Sequence, residues 1–182
     1  MIKEMLEGLP EDAKKLVDLL GRPERGELNY DGKGRRLSRL EALKELKRLE
    51  VEGVIPPPNR RIGVNVHIHT SESFSVFKSP TEAAWAGYRA GLEVMGINDH
   101  YTISGHAEFR EACKILGLKA TFSIEMMAMS EEAKKSGERY NDPKNPGRIY
   151  LCGKGVIHDL EAGSQSERLL NSVRRAFRTV SY

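Results

Sequence analysis

Residues Gly63–Glu72 read GVNVHIHTSE, with two of the chain's five histidines two residues apart in a β-branched run. Alternation at this spacing predicts a strand, whose side chains point in turn to its two faces. Val64, Val66 and Ile68 then share one face, and Asn65, His67 and His69 the other. A ligand held between the two imidazoles is the simplest reason for the pattern.

Downstream of this strand the periodicity alternates. SPTEAAWAGYRAG predicts a helix with Ser79 as N-cap, Pro80 in the first turn, Glu82 completing a capping box and Gly91 closing it. LEVMGIN predicts a second strand. GHAEFREACKILG predicts a helix with Phe109, Ala112, Cys113 and Leu116 as its buried stripe. KATFSIE and RIYLCG predict third and fourth strands, separated by a polar stretch read as a long loop, and a last amphipathic helix begins near Ser166. Such alternation predicts an α/β fold with a parallel sheet and right-handed crossovers.

Upstream, residues 1–58 predict a helical appendage ending in a stiff IPPPN connector, ahead of an α/β unit over residues 59–182. Leu16, Val17, Leu19 and Leu20 face one helix, which Gly21 and Pro23 stop; an Asp31-Gly32 turn follows. Ser38 and Glu41 have the form of a capping box opening a second helix with Leu40, Leu43, Leu46 and Leu49 on its apolar side.

Composition narrows the function classes. The 182 residues carry 29 Lys and Arg against 26 Asp and Glu, interleaved rather than massed, which weighs against nucleic acid as a partner. Cys113 and Cys152 are too few and too far apart for a disulfide scaffold. With no apolar run near the ~20 residues of a membrane span and no secretory signal, the expected location is cytoplasmic.

The polar residues fall at strand ends. His67 and His69 close the first strand, Asp99 and His100 the second and Glu125 the third, with His158 shortly after the fourth. In β/α folds that rim carries the ligand site. Imidazoles and carboxylates without matching cysteines suit Zn, Mn or Fe with water kept in the coordination sphere, which is hydrolytic chemistry. His106 stands apart at a helix start and reads as a surface or capping residue.

VNVHIHTSESFS, SPTEAAWAGYRAGL, MGINDHYTISGHAEFREACKILG and FSIEMMA together resemble the opening motifs of the polymerase and histidinol phosphatase (PHP) family. LSRLEALKELKRLEVEGVIPPP resembles the leader found before that domain in a subgroup of bacterial members. The resemblance implies a distorted β/α barrel, here partial, with a two- or three-metal site and phosphoesterase activity on a small phosphorylated substrate. It implies that His67 and His69 hold the first metal, that Glu125 bridges it to a second held in part by His158, and that His100 binds a third. Asp99 would orient His100 and, with Glu125, serve the chemistry. Lys154 or Arg148 would contact phosphate oxygens, although CGKGV also reads as an ordinary tight turn.

The sequence departs from the family pattern twice. SESFS offers Ser73, Phe74 and Ser75 where the family places a further His or Asp, and no histidine follows His158. About seven β/α units close such a barrel and about four are readable here, so the chain is expected to be the front part of a longer protein or a shortened relative. The rest of the barrel, or a second copy, would cover the open edges. Two other readings stand beside the phosphoesterase. One is an amidohydrolase-type metal enzyme, which NDH fits poorly. The other is a degenerate, non-enzymatic interaction module.

Overall fold

Burial of the apolar stripes read above organises the chain. The computed structural model describes residues 6–22, 28–29, 36–58, 62–156 and 163–179. Helix α1 (Glu11–Leu20) is followed by a two-residue pair, β1 (Leu28–Asn29) antiparallel to β2 (Arg36–Leu37), and then by α2 (Arg39–Val51). The Asp31-Gly32 turn lies outside the described residues. Ser38 caps α2 through a complete capping box: its hydroxyl accepts from the Glu41 N–H, and Glu41 accepts from the Ser38 N–H.

Strands β3 (Gly63–Ile68), β4 (Leu92–Ile97), β5 (Lys119–Met129) and β6 (Arg148–Lys154) form one sheet in that order. Helix α3 (Pro80–Arg89) joins β3 to β4, and α4 (His106–Leu116) joins β4 to β5. Both β3–β4 and β4–β5 are parallel, as the alternation requires. Ser79 caps α3 as expected, but the Glu82 carboxylate reaches the Lys78 N–H, one residue before the position that a capping box uses.

β6 departs from the expected parallel sheet: it runs antiparallel to β5, with Glu125 opposite Cys152 and Met129 opposite Arg148. The reason is length. A parallel strand needs the chain to return along the whole of β5, about 36 Å for eleven residues. The segment read as a loop contains only a six-residue helix, α5 (Glu131–Ser136), about 9 Å long. A turn follows it, pinned by buried Asp142, which accepts from the Lys144 and Asn145 N–H groups and the Asn145 side chain. The chain therefore doubles back. The last helix, α6 (Gln165–Thr179), starts where the sequence places it.

The result is a curled, open, mixed sheet flanked by helices: part of a distorted β/α barrel with helices before it. The curl brings β6 to β3, since the Lys154 Nζ donates to the Val66 carbonyl at 3.3 Å. One core joins the elements on the convex side. Leu16, Leu20, Leu43 and Leu46 of α1 and α2 share it with Trp85, Tyr88, Met95, Phe109, Cys113 and Leu116. Arg39 of α2 further clamps Glu108 of α4, whose carboxylate also accepts from the Thr81 N–H and hydroxyl at 3.2 and 2.5 Å. His106 is a correction to the sequence reading: it is fully buried, its Nε2 3.1 Å from the Ser123 carbonyl, because α4 starts inside the core rather than on the surface.

Glycine shapes the rim at one decisive place. Asn65 pairs with Met95 and Ile68 with Ile97, so β3 fits one residue more than β4 between these points, a bulge centred on Val66 and His67. Gly96 sits opposite. A Cβ there would lie 2.7 Å from the Val66 Cα and 2.8 Å from its carbonyl oxygen, so only glycine lets the bulged backbone approach.

Candidate metal centre

The bulge and the alternation of β3 aim both imidazoles at the concave face, and β5 delivers a carboxylate to meet them. The His67 and His69 Nε2 atoms are 3.2 Å apart, and the Glu125 Oε2 lies 2.9 Å from the first and 3.3 Å from the second. Among the described residues, these three form the group of His, Cys, Asp or Glu side chains able to hold one ion. Tetrahedral coordination with bonds of about 2.0–2.1 Å sets donors about 3.3–3.4 Å apart. The three atoms thus fit a divalent cation with adjustments of a few tenths of an ångström, and nitrogen and oxygen donors suit Zn or Mn.

The electrostatics keep the donors available. Burial, and next the neighbouring His100, push the His69 pKa below its ordinary value, against the pull of Glu125. His69 is therefore neutral at pH 7, the protonation state in which an imidazole can bind a cation. The site opens to solvent through a cleft of about 500 Å³ lined by Asn65, His67, His69 and Phe74–Phe77.

The remaining rim residues take different positions. His100 continues β4 and bridges to Glu125 through the backbone. Its ring stacks on His69 at 4.6 Å between centroids, and Phe74 lies 6.2 Å away on a nearly parallel plane. Tyr101, next in the chain, adopts a left-handed φ of 56° and locks its hydroxyl onto the β5 backbone, accepting from the Met127 N–H at 2.8 Å.

Asp99 is bound to the loop after β3. Its Oδ1 accepts from the Thr70 N–H at 2.6 Å and the Ser73 hydroxyl at 2.7 Å, and its Oδ2 from the Thr70 hydroxyl at 2.6 Å. Asp99 is 1% exposed, so these bonds replace its water. Asp99→Ala is expected to cost about 2–3 kcal/mol, because it strands the buried Thr70 donors. The urea midpoint measures this, and a midpoint equal to the parent's would contradict the anchoring role.

Lys154 lies on the face of β6 shared with Cys152, two residues along, beside the triad's face of the sheet. Arg148 begins β6, about 13 Å from Cys152 along the strand, and its Nη1 faces Asp142 at 3.4 Å. The structure does not bring Arg148 to the triad. His158 lies outside the described residues.

Two residues at the site escaped the sequence reading. Asn98, fully buried at the end of β4, places its Nδ2 2.8 Å from the Glu125 Oε2, 3.0 Å from the His67 Nε2 and 3.6 Å from the Cys152 Sγ. Asn98 opens the NDH motif, whose reading as a site rests on its Asp and His. Cys152 is exposed and directly opposite Glu125, which only the antiparallel register reveals. Cys113, by contrast, is a core residue whose thiol pKa burial pushes up to about 12.

No helix among the described residues is long and apolar enough to cross a membrane. No protein-family model matches the chain, and no curated protein does. Among solved structures, it is similar to a protein from Bifidobacterium adolescentis ATCC 15703 provisionally described as a metal-dependent phosphoesterase. The two are 30% identical over 42% of this chain and 26% of that one, with a TM-score of 0.36. The chain thus spans about a quarter of that relative's length, and the likeness is confined to that segment.

Proposed function

We propose that this chain forms the metal-holding part of a metal-dependent phosphoesterase of the PHP type. The observation that carries the reading is the convergence of the His67 and His69 Nε2 atoms with the Glu125 carboxylate within 3.3 Å of one another. The motif series from HIHTSE through NDH to SIE supports the family reading.

A divalent cation bound there supplies Lewis acidity toward a phosphoryl oxygen and makes water acidic enough to act near neutral pH. The chain's own residues do the rest. His67, His69 and Glu125 hold the ion, and the stacked His100 excludes water from one side of His69. Asp99 keeps the loop from Thr70 to Ser73 fixed beside the site. Lys154 is proposed as a cationic contact for the substrate's phosphate, reached by releasing the Val66 carbonyl. His100 and His158 are proposed for further ions, and the substrate as a small phosphomonoester. The sheet has two outer strands, β3 and β6, with Val64 and Leu151 exposed on them. More of the barrel, or a second copy, is proposed to cover these edges.

The test is hydrolysis of a generic phosphomonoester with added Mn or Zn, beside a carboxylic ester and an amide. Phosphate release should exceed hydrolysis of the other two and fall at least about 100-fold in His67→Ala. Equal rates in parent and variant would dismiss the phosphoesterase. Faster amide than phosphate cleavage would point to the amidohydrolase class instead.

A further inference from the structure

Asn98 stands at the centre of the donor group yet belongs to no ligand set. Its side chain is fully buried at the point where β4 passes between β3 and β5, and its Nδ2 is within 3.6 Å of three acceptors. An amide nitrogen carries two protons, so at most two of the three can be served at once. We infer that Asn98 is the positioning residue of the metal centre: it donates one proton to the Glu125 Oε2 and the other to the Cys152 Sγ, and leaves the His67 lone pair for the cation.

The chemistry of the neighbours fixes this assignment. The opposite orientation of the amide would put the Oδ1 against the Glu125 carboxylate, oxygen facing oxygen, with nothing to hold them together. A carboxylate oxygen has room for both an N–H and a cation, so the 2.8 Å bond to Glu125 persists when the site is loaded. The His67 Nε2 has a single lone pair. It cannot accept from Asn98 and bind a cation together, whereas the thiol of Cys152 can take the second proton at 3.6 Å. The bond therefore fixes which lone pair of Glu125 faces the imidazoles, and it ties β4 to β5 and β6 at the site itself.

The Asn98 Oδ1 is buried with no hydrogen-bond partner. A residue kept only for the fold would leave metal affinity unchanged when replaced by an apolar side chain of similar size, since leucine keeps the volume and trades the orphaned Oδ1 for an unpaired Glu125 oxygen. A positioning residue would not. The two roles therefore separate in Asn98→Leu.

This inference rests on the metal-site reading above, and its test keeps the two apart. Zn and Mn affinities are measured by titration calorimetry for the parent, Asn98→Leu, Asn98→Ala and His67→Ala, beside metal-free melting of each. Affinity is expected to drop 10- to 100-fold in both Asn98 variants, with metal-free melting of Asn98→Leu above that of Asn98→Ala, which also leaves a cavity. His67→Ala should bind more weakly still. Affinities within twofold of the parent in a folded Asn98 variant would overturn the inference and leave the metal site standing. A loss that merely tracks a lower folded fraction in both variants would also overturn it. A parent that takes up no metal would overturn the metal-site reading and this inference together.

Discussion

Glu125→Gln is expected to weaken zinc or manganese binding by at least about 100-fold, since even residues that only orient a ligand are worth 10- to 100-fold. Glu125 brings the one carboxylate of the triad, and its Oε2 lies within 3.3 Å of both imidazole Nε2 atoms. Glutamine keeps the shape but removes the charge, so the cation faces two neutral rings and an amide. The binding should also depend on pH with a definite sign. Cations and protons compete for the imidazole nitrogens, so affinity falls as pH falls. Because burial and His100 lower the His69 pKa, its share of that loss begins only below the ordinary value of 6.5. The same shift means that His69 favours the metal-free fold above 6.5, and that this stability is lost as pH falls through its lowered value. Titration calorimetry at pH 8, 7, 6 and 5 measures both effects. Equal affinity in parent and variant, or affinity that rises toward pH 5, would contradict them.

Gly96→Ala should be nearly as damaging, although no side chain is lost. The new methyl would lie 2.7 Å from the Val66 Cα and 2.8 Å from the Val66 oxygen, and it would also meet the Thr121 hydroxyl. Two of those neighbours are backbone atoms of Val66, on the strand paired with β4, and cannot rotate away. Overpacking of this kind costs about 1–3 kcal/mol where side chains can yield, so about 3 kcal/mol is expected here. The only relief is for β3 to shift outward at its bulge, and His67 rides on that bulge. Gly96→Ala is thus expected to lower the urea midpoint and to weaken metal binding, from a position that touches no ligand. Gly87→Ala offers a comparison: a Cβ there presses on the Met95 sulfur at 2.5 Å, on the far side of the sheet, where a flexible side chain can move. It should cost less stability and leave metal affinity alone.

Much of this was legible in the sequence because local chemistry and tertiary need agree. Ser38, Ser79, Gly91 and Gly117 mark helix ends that the structure keeps. The period-two pattern of Val64, Val66 and Ile68 against His67 and His69 correctly put the imidazoles together, and Glu125 joined them because parallel strands align their ends. What failed to show depended on direction and register. Nothing local in RIYLCG tells an antiparallel strand from a parallel one; the shortness of α5 decides it. Cys152 therefore came to Glu125 unannounced. The β3 bulge was equally silent, since it appears only when Gly96 is set beside Val66. His106 misled because a histidine at a helix start looks solvated until the packing of α4 on β5 buries it against Ser123.

The central claim is that His67, His69 and Glu125 together hold one divalent cation. Zinc-edge X-ray absorption of the chain loaded with one equivalent tests it most directly. The account predicts a shell of nitrogen and oxygen at about 2.0–2.1 Å, with outer scattering from two imidazoles that drops to one in His67→Ala. A shell containing sulfur at about 2.3 Å, or one without imidazole scattering, would contradict it.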